Sequence, residues 1–423
     1  MNRIRNLMHK IRNILKHLRI ISVVKIGLIV LVFGILSTGI DAWQSGSSGK
    51  SVAVRMGSSY ALKTDGTLWA WGSNDCGQLG DGTVGYRTDG GRSKERIGSG
   101  CNRRTVTRSN TDTDYLVDNY KNIPTKVGTD SNWLVVSAGK NYVTALKTDT
   151  SLWAWGNNVW DQLGDGTSGF ANFKTTPTRI GTDNWSAIAA YTTRILGLKT
   201  DNTLWTWSCV PIQITGTGWS AIATGCGHSF ALKTDNTLWA WGVNSSGQLG
   251  DGTNTDKNTP TQITGTDWSK IAAGYVHTLG LKTDGTLWAW GDNNWGQLGD
   301  GSIFRTSPAQ IGLDTDWSSI TCGLLHSLAL KTDGTLWAWG NNDYGQLGDG
   351  TTISRTSPTR IGSDTDWSAI ATSERHTVAL KTDGTLWAWG ANSWGQLGDD
   401  TYTQRLIPTK IGTDTNWSKI STR

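Results

Sequence analysis

Four histidines, His228, His277, His326 and His376, recur at spacings of 49, 49 and 50 residues. Equally spaced imidazoles would make a metal ring only if the chain brought them to one point. The matching positions of the other repeats hold Ser58, Tyr142 and Arg194, so the expectation is a structural turn position. Loops such as Asp292-Asn-Asn-Trp-Gly offer oxygen ligands, but they lack the alternating spacing and terminal Glu of a calcium loop. The five cysteines, Cys76, Cys101, Cys209, Cys226 and Cys322, form no Cys-x-x-Cys pair, which argues against structural zinc. Cys76 and Cys101 share one long loop and are a candidate disulfide in an oxidising compartment. No Ser–His–Asp set or carboxylate pair stands outside the repeated unit. The sequence therefore predicts no catalytic residue, no metal ligand and no cofactor.

The elements that position these residues come from one short motif copied many times. Trp stands at 25 and Gly at 53 in 423 residues, against 3 Met and 5 Phe. Aligning on Lys-Thr-Asp places Asp65, Asp149, Asp201, Asp235, Asp284, Asp333 and Asp383 in one column, each followed by Leu-Trp-x-Trp. Self-similarity near fifty residues marks a propeller or an array. A clean unit runs from Asp267 through Gly291, then Gly296-Gln-Leu-Gly-Asp-Gly301, then Pro308-Ala-Gln-Ile311.

Turn residues divide each unit into four strands. In this unit they are A around Ile271, B from His277 to Lys282, C from Thr286 to Gly291, and D around Ile311 after the initiating proline. Strand periodicity sets Trp288 and Trp290 opposite Leu287 and Ala289, and Leu279 and Leu281 opposite Thr278 and Gly280. A bulky face on one blade would then pack on a smaller face of the next. Seven B–C pairs and seven prolines, at 124, 177, 211, 260, 308, 358 and 408, predict an all-β, seven-bladed propeller of four-stranded antiparallel blades. Strand A occurs eight times, because residues 51–55 and 417–421 both fit blade one. Either could close the ring.

The net charge of +5 divides unevenly. Residues 1–43 hold seven basic side chains and Asp41, leaving 32 basic against 33 acidic groups in the remainder. The repeat body thus has no global attraction for phosphate backbones, and nucleic acid is not an expected partner. Residues 1–25 are basic, and Ile26 to Ile40 are apolar, with the apolar stretch extending back to residue 20 if Lys25 snorkels. That order reads as a signal or anchor segment, followed by a linker at 41–50 and the propeller at 51–423. Cleavage after Gly39 is one outcome; the long basic region favours a retained anchor. Either places the propeller extracytoplasmic, membrane-anchored or secreted.

The phrase Gly-x-x-His-(Ser/Thr)-(Leu/Phe)-(Ala/Gly)-Leu-Lys-Thr-Asp-(Gly/Asn)-Thr-Leu-Trp-Ala-Trp-Gly, with Gly-Gln-Leu-Gly-Asp after it, resembles the repeat of the regulator of chromosome condensation family. The resemblance covers residues 51–423 and implies a seven-bladed propeller. The family includes a nuclear exchange factor for a small GTPase, plant ultraviolet photoreceptors and secreted bacterial proteins that bind β-lactamases. Wording and leader are closest in style to the exported bacterial members.

Residues that recur in every unit serve the blade, so function is sought where units differ. The A–B pairs differ, as in Tyr275-Val276 against Glu374-Arg375, and so do the C–D loops, with Trp160, Trp295, Tyr344 and Trp394 in one slot. Blade one also carries an insert at about 84–120 with a basic middle that includes Arg103 and Arg104, and blade three lacks Gly-Gln-Leu-Gly-Asp altogether. The A–B and C–D loops should share one end of the ring. The sequence thus predicts a non-enzymatic, monomeric scaffold that binds a protein through Trp160, Trp295, Tyr344, Trp394, Tyr275, Arg375, Arg103 and Arg104. Glycan binding through exposed tryptophans and exchange-factor-like regulation by family analogy are the alternatives. The bland reading of the loop aromatics is that they tuck against neighbouring blades.

Overall fold

In a computed structural model, residues 57–84, 96–97, 104–105, 120–169, 172–192, 194–207 and 211–422 are described. The leader and linker at 1–50, residues 51–56 and most of the blade-one insert, Arg103 included, lie outside them. Within the insert, Arg96–Ile97 pairs antiparallel with Arg104–Thr105.

The seven expected blades are present. Blade one orders its strands Trp417–Thr422, Ser58–Lys63, Leu68–Gly72 and Lys121–Lys126. The last strand of the chain is therefore strand A of the first blade and closes the ring, which settles the choice left open by the repeat. Blades four to seven are separate four-stranded sheets, such as Trp268–Ala273, His277–Lys282, Leu287–Asp292 and Phe304–Gln310 in blade five. Blades two and three join into one seven-stranded sheet because Lys174–Tyr191 is a single long strand. It serves first as strand D of blade two and then as strand A of blade three.

The boundaries of strand D differ from the sequence reading. The proline does not initiate the strand; Pro308 lies inside Phe304–Gln310, and Pro260 inside Lys257–Gln262. Strand D is the outer edge of each blade and its pairing with strand C shifts register between Ala289 and Gly291. An edge strand with a bulge leaves a position whose missing N–H costs no ladder bond. Ile311 follows the strand and is buried.

Alternation explains the packing. Phe230, Leu232, Leu238, Ala240, Leu249 and Ile263 of blade four enclose Trp268 and Trp290 of blade five in one core cluster. The aliphatic face of one blade thus meets the tryptophan face of the next. Trp268 packs edge-on against Trp288 at 6.0 Å and Trp290 at 5.5 Å, arrangements worth about 0.5–1.5 kcal/mol beyond burial. At the axis the A strands crowd: a Cβ on Gly274 would stand 2.8 Å from the Gly323 carbonyl oxygen, and one on Gly225 2.6 Å from that of Gly274.

The Gly-Gln-Leu-Gly-Asp loop locks neighbouring blades together. The Gln297 carbonyl of blade five accepts the Trp339 Nε1–H at 2.9 Å and the Ser327 hydroxyl at 2.8 Å, both from blade six. Leu298 is fully buried in the same interface. Gly299 has φ +83, and a Cβ there would lie 2.9 Å from Trp339 Nε1 and 3.0 Å from Pro358 Cδ. Gly301, two residues on, has φ +69 with nothing near its Cβ position.

Alanine at either glycine adds left-handed strain of about 1–2 kcal/mol. Gly299→Ala also drives a methyl into the next blade, so it should cost about 1 kcal/mol or more beyond Gly301→Ala. Denaturant unfolding of the two variants measures the difference, and equal losses would contradict the interlock.

Candidate functional site

The two ends of the ring are built differently. At one end the B–C turns are uniform. Asp284 Oδ1 accepts the Thr286 N–H at 3.0 Å and its hydroxyl at 2.7 Å, and the Thr286 oxygen accepts Trp288 Nε1–H at 2.9 Å. These hydrogen bonds from Thr286 hold the Asp284 carboxyl below its ordinary range. Lys282 Nζ sits 4.5 Å above the Trp288 ring and 5.4 Å above Trp268. The same Lys–Trp arrangement recurs in all seven blades, for instance at Lys63 and Trp69 (4.1 Å) and at Lys381 and Trp387 (4.7 Å). A repeated cation over a repeated ring is blade architecture. Strand D returns to this end, since Trp317 N–H donates to the Gly285 carbonyl.

The other end carries the A–B and C–D loops, as the sequence predicts. The Asp292 N–H donates to Val276 in the A–B loop at 2.9 Å, and the Ala391 N–H to Arg375 likewise. Each C–D loop is knitted by its own polar side chains. Gln297 Oε1 accepts the Trp295 N–H at 2.8 Å, Asn293 Oδ1 accepts the Leu298 N–H at 2.7 Å, and Asn293 Nδ2 donates to Asp300 at 3.1 Å. The recurrent glutamines and asparagines are consumed by structure.

The four histidines lie buried where this end meets the axis. His277 Nε2 is 3.1 Å from Ser327 Oγ, and His376 Nε2 is 2.8 Å from Ser59 Oγ. Both hydroxyls give their single proton to a carbonyl, of Gln297 and Gln396 respectively. These two imidazoles must therefore donate through Nε2. Burial pushes His228 down to about 4 and His277, His326 and His376 to about 3, because a charged ring there is unsolvated. His277 and His376 thus bridge neighbouring blades. Among the described residues, no group of three or more His, Cys, Asp or Glu gathers into a metal-binding cluster.

The rim aromatics divide into two kinds. Trp160 is 64% exposed, Tyr275 43% and Trp295 42%. Tyr344 and Trp394 are half-buried against the next blade. The Arg375 guanidinium stacks on the Tyr344 ring at 4.7 Å, joining two candidate residues from adjacent blades. Trp394 packs on Tyr120 at 5.3 Å, and a Cβ on Gly57 would touch its ring at 3.0 Å. The side chains of Arg103 and Arg104 lie outside the described residues. Sequence comparison also missed members of this rim: Ile303 (76% exposed), Phe304, Ile353 and Tyr402 are exposed in or beside C–D loops. Their signal was present in the one or two positions after Asp300-Gly-Ser302, Asp349-Gly-Thr351 and Asp399-Asp-Thr401, where Ile303, Ile353 and Tyr402 stand and two other units have Ser168 and Asn254.

Comparison with known proteins follows the same lines. Residues 208–422 match the family model described as an RCC1-like domain, and residues 57–78 match the regulator of chromosome condensation (RCC1) repeat. Human WBSCR16 superposes with a TM-score of 0.69 at 19% identity, covering 84% of this chain and 97% of that one. Prp20p from Saccharomyces cerevisiae superposes with a TM-score of 0.68 at 20% identity, covering 84% and 88%. The yeast RCC1 (Prp20) in complex with Kap60 gives 0.67 at 19%, covering 88% and 90%. No curated protein sequence matches the chain.

The buried histidines set an acid limit on the fold. Their folded pKa values lie below the unfolded value of about 6.5, so the unfolded chain takes up protons first as pH falls. Stability is complete above pH 6.5 and declines below it, by up to about 1.4 kcal/mol per pH unit for each ring. Denaturant unfolding at pH 7.5, 6.0 and 5.0 should give a steady loss before the carboxylates titrate; a flat profile would refute neutral burial.

Proposed function

We propose, from the premise that the chain belongs to the family of RCC1-like domains, that it is a non-enzymatic scaffold which binds a protein through the A–B/C–D rim. The observation that carries this is the asymmetry of the two ends. One end repeats the same turn in each blade, whereas the other varies from blade to blade and exposes Trp160, Tyr275, Trp295, Ile303, Phe304 and Ile353. Exposed aromatic and aliphatic groups set among polar loops are what a protein interface uses. Prp20p is known for binding properties toward Gsp1p and histones, and yeast RCC1 (Prp20) is bound by Kap60. Those proteins support a binding role for this fold, and exchange-factor-like regulation is its second reading by analogy.

Within this proposal the propeller is exported, anchored or secreted. Support comes from the basic-then-apolar order of residues 1–40. A second support is Cys76, which is disulfide-bonded. Disulfides persist in oxidising compartments. Among the described residues no helix is long and apolar enough to cross a membrane.

A photo-crosslinking amino acid at position 160 or 295 should trap a discrete protein adduct on intact cells, and one at 284, on the uniform end, should not. External protease should digest the adduct without cell lysis. Adducts from 284 alone would place the interface on the other end, and protection from protease would remove export. Trp160→Ala with Trp295→Ala should lose the partner while keeping the melting temperature, whereas Trp394→Ala should lower it.

A further inference from the structure

The uniform end of the ring carries an open cavity of about 520 Å³ where blades one and two meet. Three segments line it: residues 62–66 from strand B and the B–C turn of blade one, residues 418–419 from the closing strand, and residues 131–134 at the start of blade two. The first and second are joined by pairing of Leu62 with Lys419, so the cavity lies where the chain closes on itself. Small-molecule sites enclose about 300–1,000 Å³, and this cavity falls in that range.

One lining side chain departs from its counterparts in every other blade. The second residue of strand A is otherwise serine, at 186, 220, 269, 318, 368 and 418, and each hydroxyl donates to a leucine carbonyl of strand B at 3.0–3.2 Å. Blade two has Leu134 there, 38% exposed. A leucine cannot make that hydrogen bond, so the blade itself gives no reason for it. The charge beside it is also altered. Blades six and seven place Asp316 and Asp366 just before the tryptophan of strand A, paired with Lys331 and Lys381 at 3.1 Å. Blade two has the neutral Asn132, whose amide has no hydrogen-bond partner among the described residues.

The cavity therefore joins an apolar wall to a set of donors. Lys419 is exposed, and its Nζ gives one N–H to the Leu134 carbonyl at 2.7 Å, which leaves two and sets the charge beside the leucine. Thr64 and Ser131 add hydroxyls that make no hydrogen bond among the described residues. Lys63 is already engaged, with Asp414 at 2.7 Å and over the Trp69 ring at 4.1 Å. Asp65 is the acid of the lining. Hydrogen bonds from Thr67 occupy its Oδ1 and hold its carboxyl below the ordinary range.

We propose that this cavity binds a small carboxylate with an apolar body, the carboxylate on Lys419 and the body on Leu134 and Leu62. A cation with free N–H groups, held against an exposed leucine, complements that chemistry, and charge-assisted hydrogen bonds are the strong ones. A ligand there touches both extremes of the propeller chain at once and so favours the closed ring. The site is separate from the protein-binding rim, since it lies on the opposite end.

The probe is 4-phenylbutyrate, titrated into the purified full chain while leucine methyl resonances are followed, with 4-phenylbutan-1-ol and 4-phenylbutylamine as neutral and cationic forms of the same body. The acid should saturate with a dissociation constant of about 1 mM. It should shift the Leu134 methyls, identified by their loss in Leu134→Ser, and raise the melting temperature as its concentration rises. The alcohol should bind about fivefold more weakly, and the amine no better than the alcohol. Lys419→Met should weaken the acid about fivefold and leave the alcohol unchanged. Leu134→Ser, which restores the serine of the other blades, should reduce the melting shift from both. Lys270 bonds the Ser318 carbonyl at 2.6 Å as Lys419 bonds that of Leu134, and Lys270→Met should change neither. No saturation by the acid up to about 10 mM, an amine that binds as well as the acid, or binding indifferent to Lys419→Met and Leu134→Ser would overturn the site.

Discussion

The ring depends on a hydrogen bond made across five of its seven blade interfaces, from a tryptophan indole N–H to the backbone carbonyl of a glutamine in the preceding blade. A buried indole N–H with no acceptor costs about 1–3 kcal/mol, and the glutamine carbonyl removes that cost for Trp71, Trp155, Trp290, Trp339 and Trp389. The Gly-Gln-Leu-Gly-Asp loop supplies it, buries a leucine beside it, and needs glycine because its backbone is left-handed and lies against the indole. A single motif thus satisfies a polar group, extends the core and fixes the spacing of blades.

Stability built from neighbour contacts has consequences around the whole ring. Each interface resembles the next, as in other repeat proteins, and the chain end has to return to its beginning. Trp417–Thr422 pairs with Ser58–Lys63 to do so, bringing Trp417 against Trp69 at 5.8 Å as in five of the other blades. Because the motif's side chains are spent on the loop, only residues between the motif positions are free to vary. Those are the residues that line the A–B/C–D rim. The uniform end has no such freedom, since each Lys–Trp pair and Asp–Thr turn there holds its own hairpin.

Much of this was legible in the sequence because it repeats. Seven blades, the opposed Leu and Trp faces, the shared loop ends and the structural histidines follow from period and alternation alone. Strand D was not legible in its limits: proline ordinarily marks a strand's start, and only an edge position with a bulge lets Pro308 sit inside one. The single strand shared by blades two and three was equally hidden, since Gly181-Thr-Asp-Asn184 has the composition of a turn. The candidate site was read in part. Spacing found the slot shared by Trp160, Trp295, Tyr344 and Trp394, but whether each ring faces outward depends on the next blade. Arg375 receives Tyr344, and Tyr120 with Gly57 receives Trp394. The missing Gly-Gln-Leu-Gly-Asp of blade three was visible as a deletion.

Hydrogen exchange of the indole N–H groups measures the central interaction directly. Trp71, Trp155, Trp290, Trp339 and Trp389, whose N–H groups are capped by a glutamine carbonyl, should exchange only through global opening of the ring. Trp241, whose indole N–H has no hydrogen-bond partner among the described residues, should exchange orders of magnitude faster in the native state. If Trp241 were protected as well as the capped five, or if those five exchanged as fast as Trp241, the carbonyl cap would not be what holds the blades together.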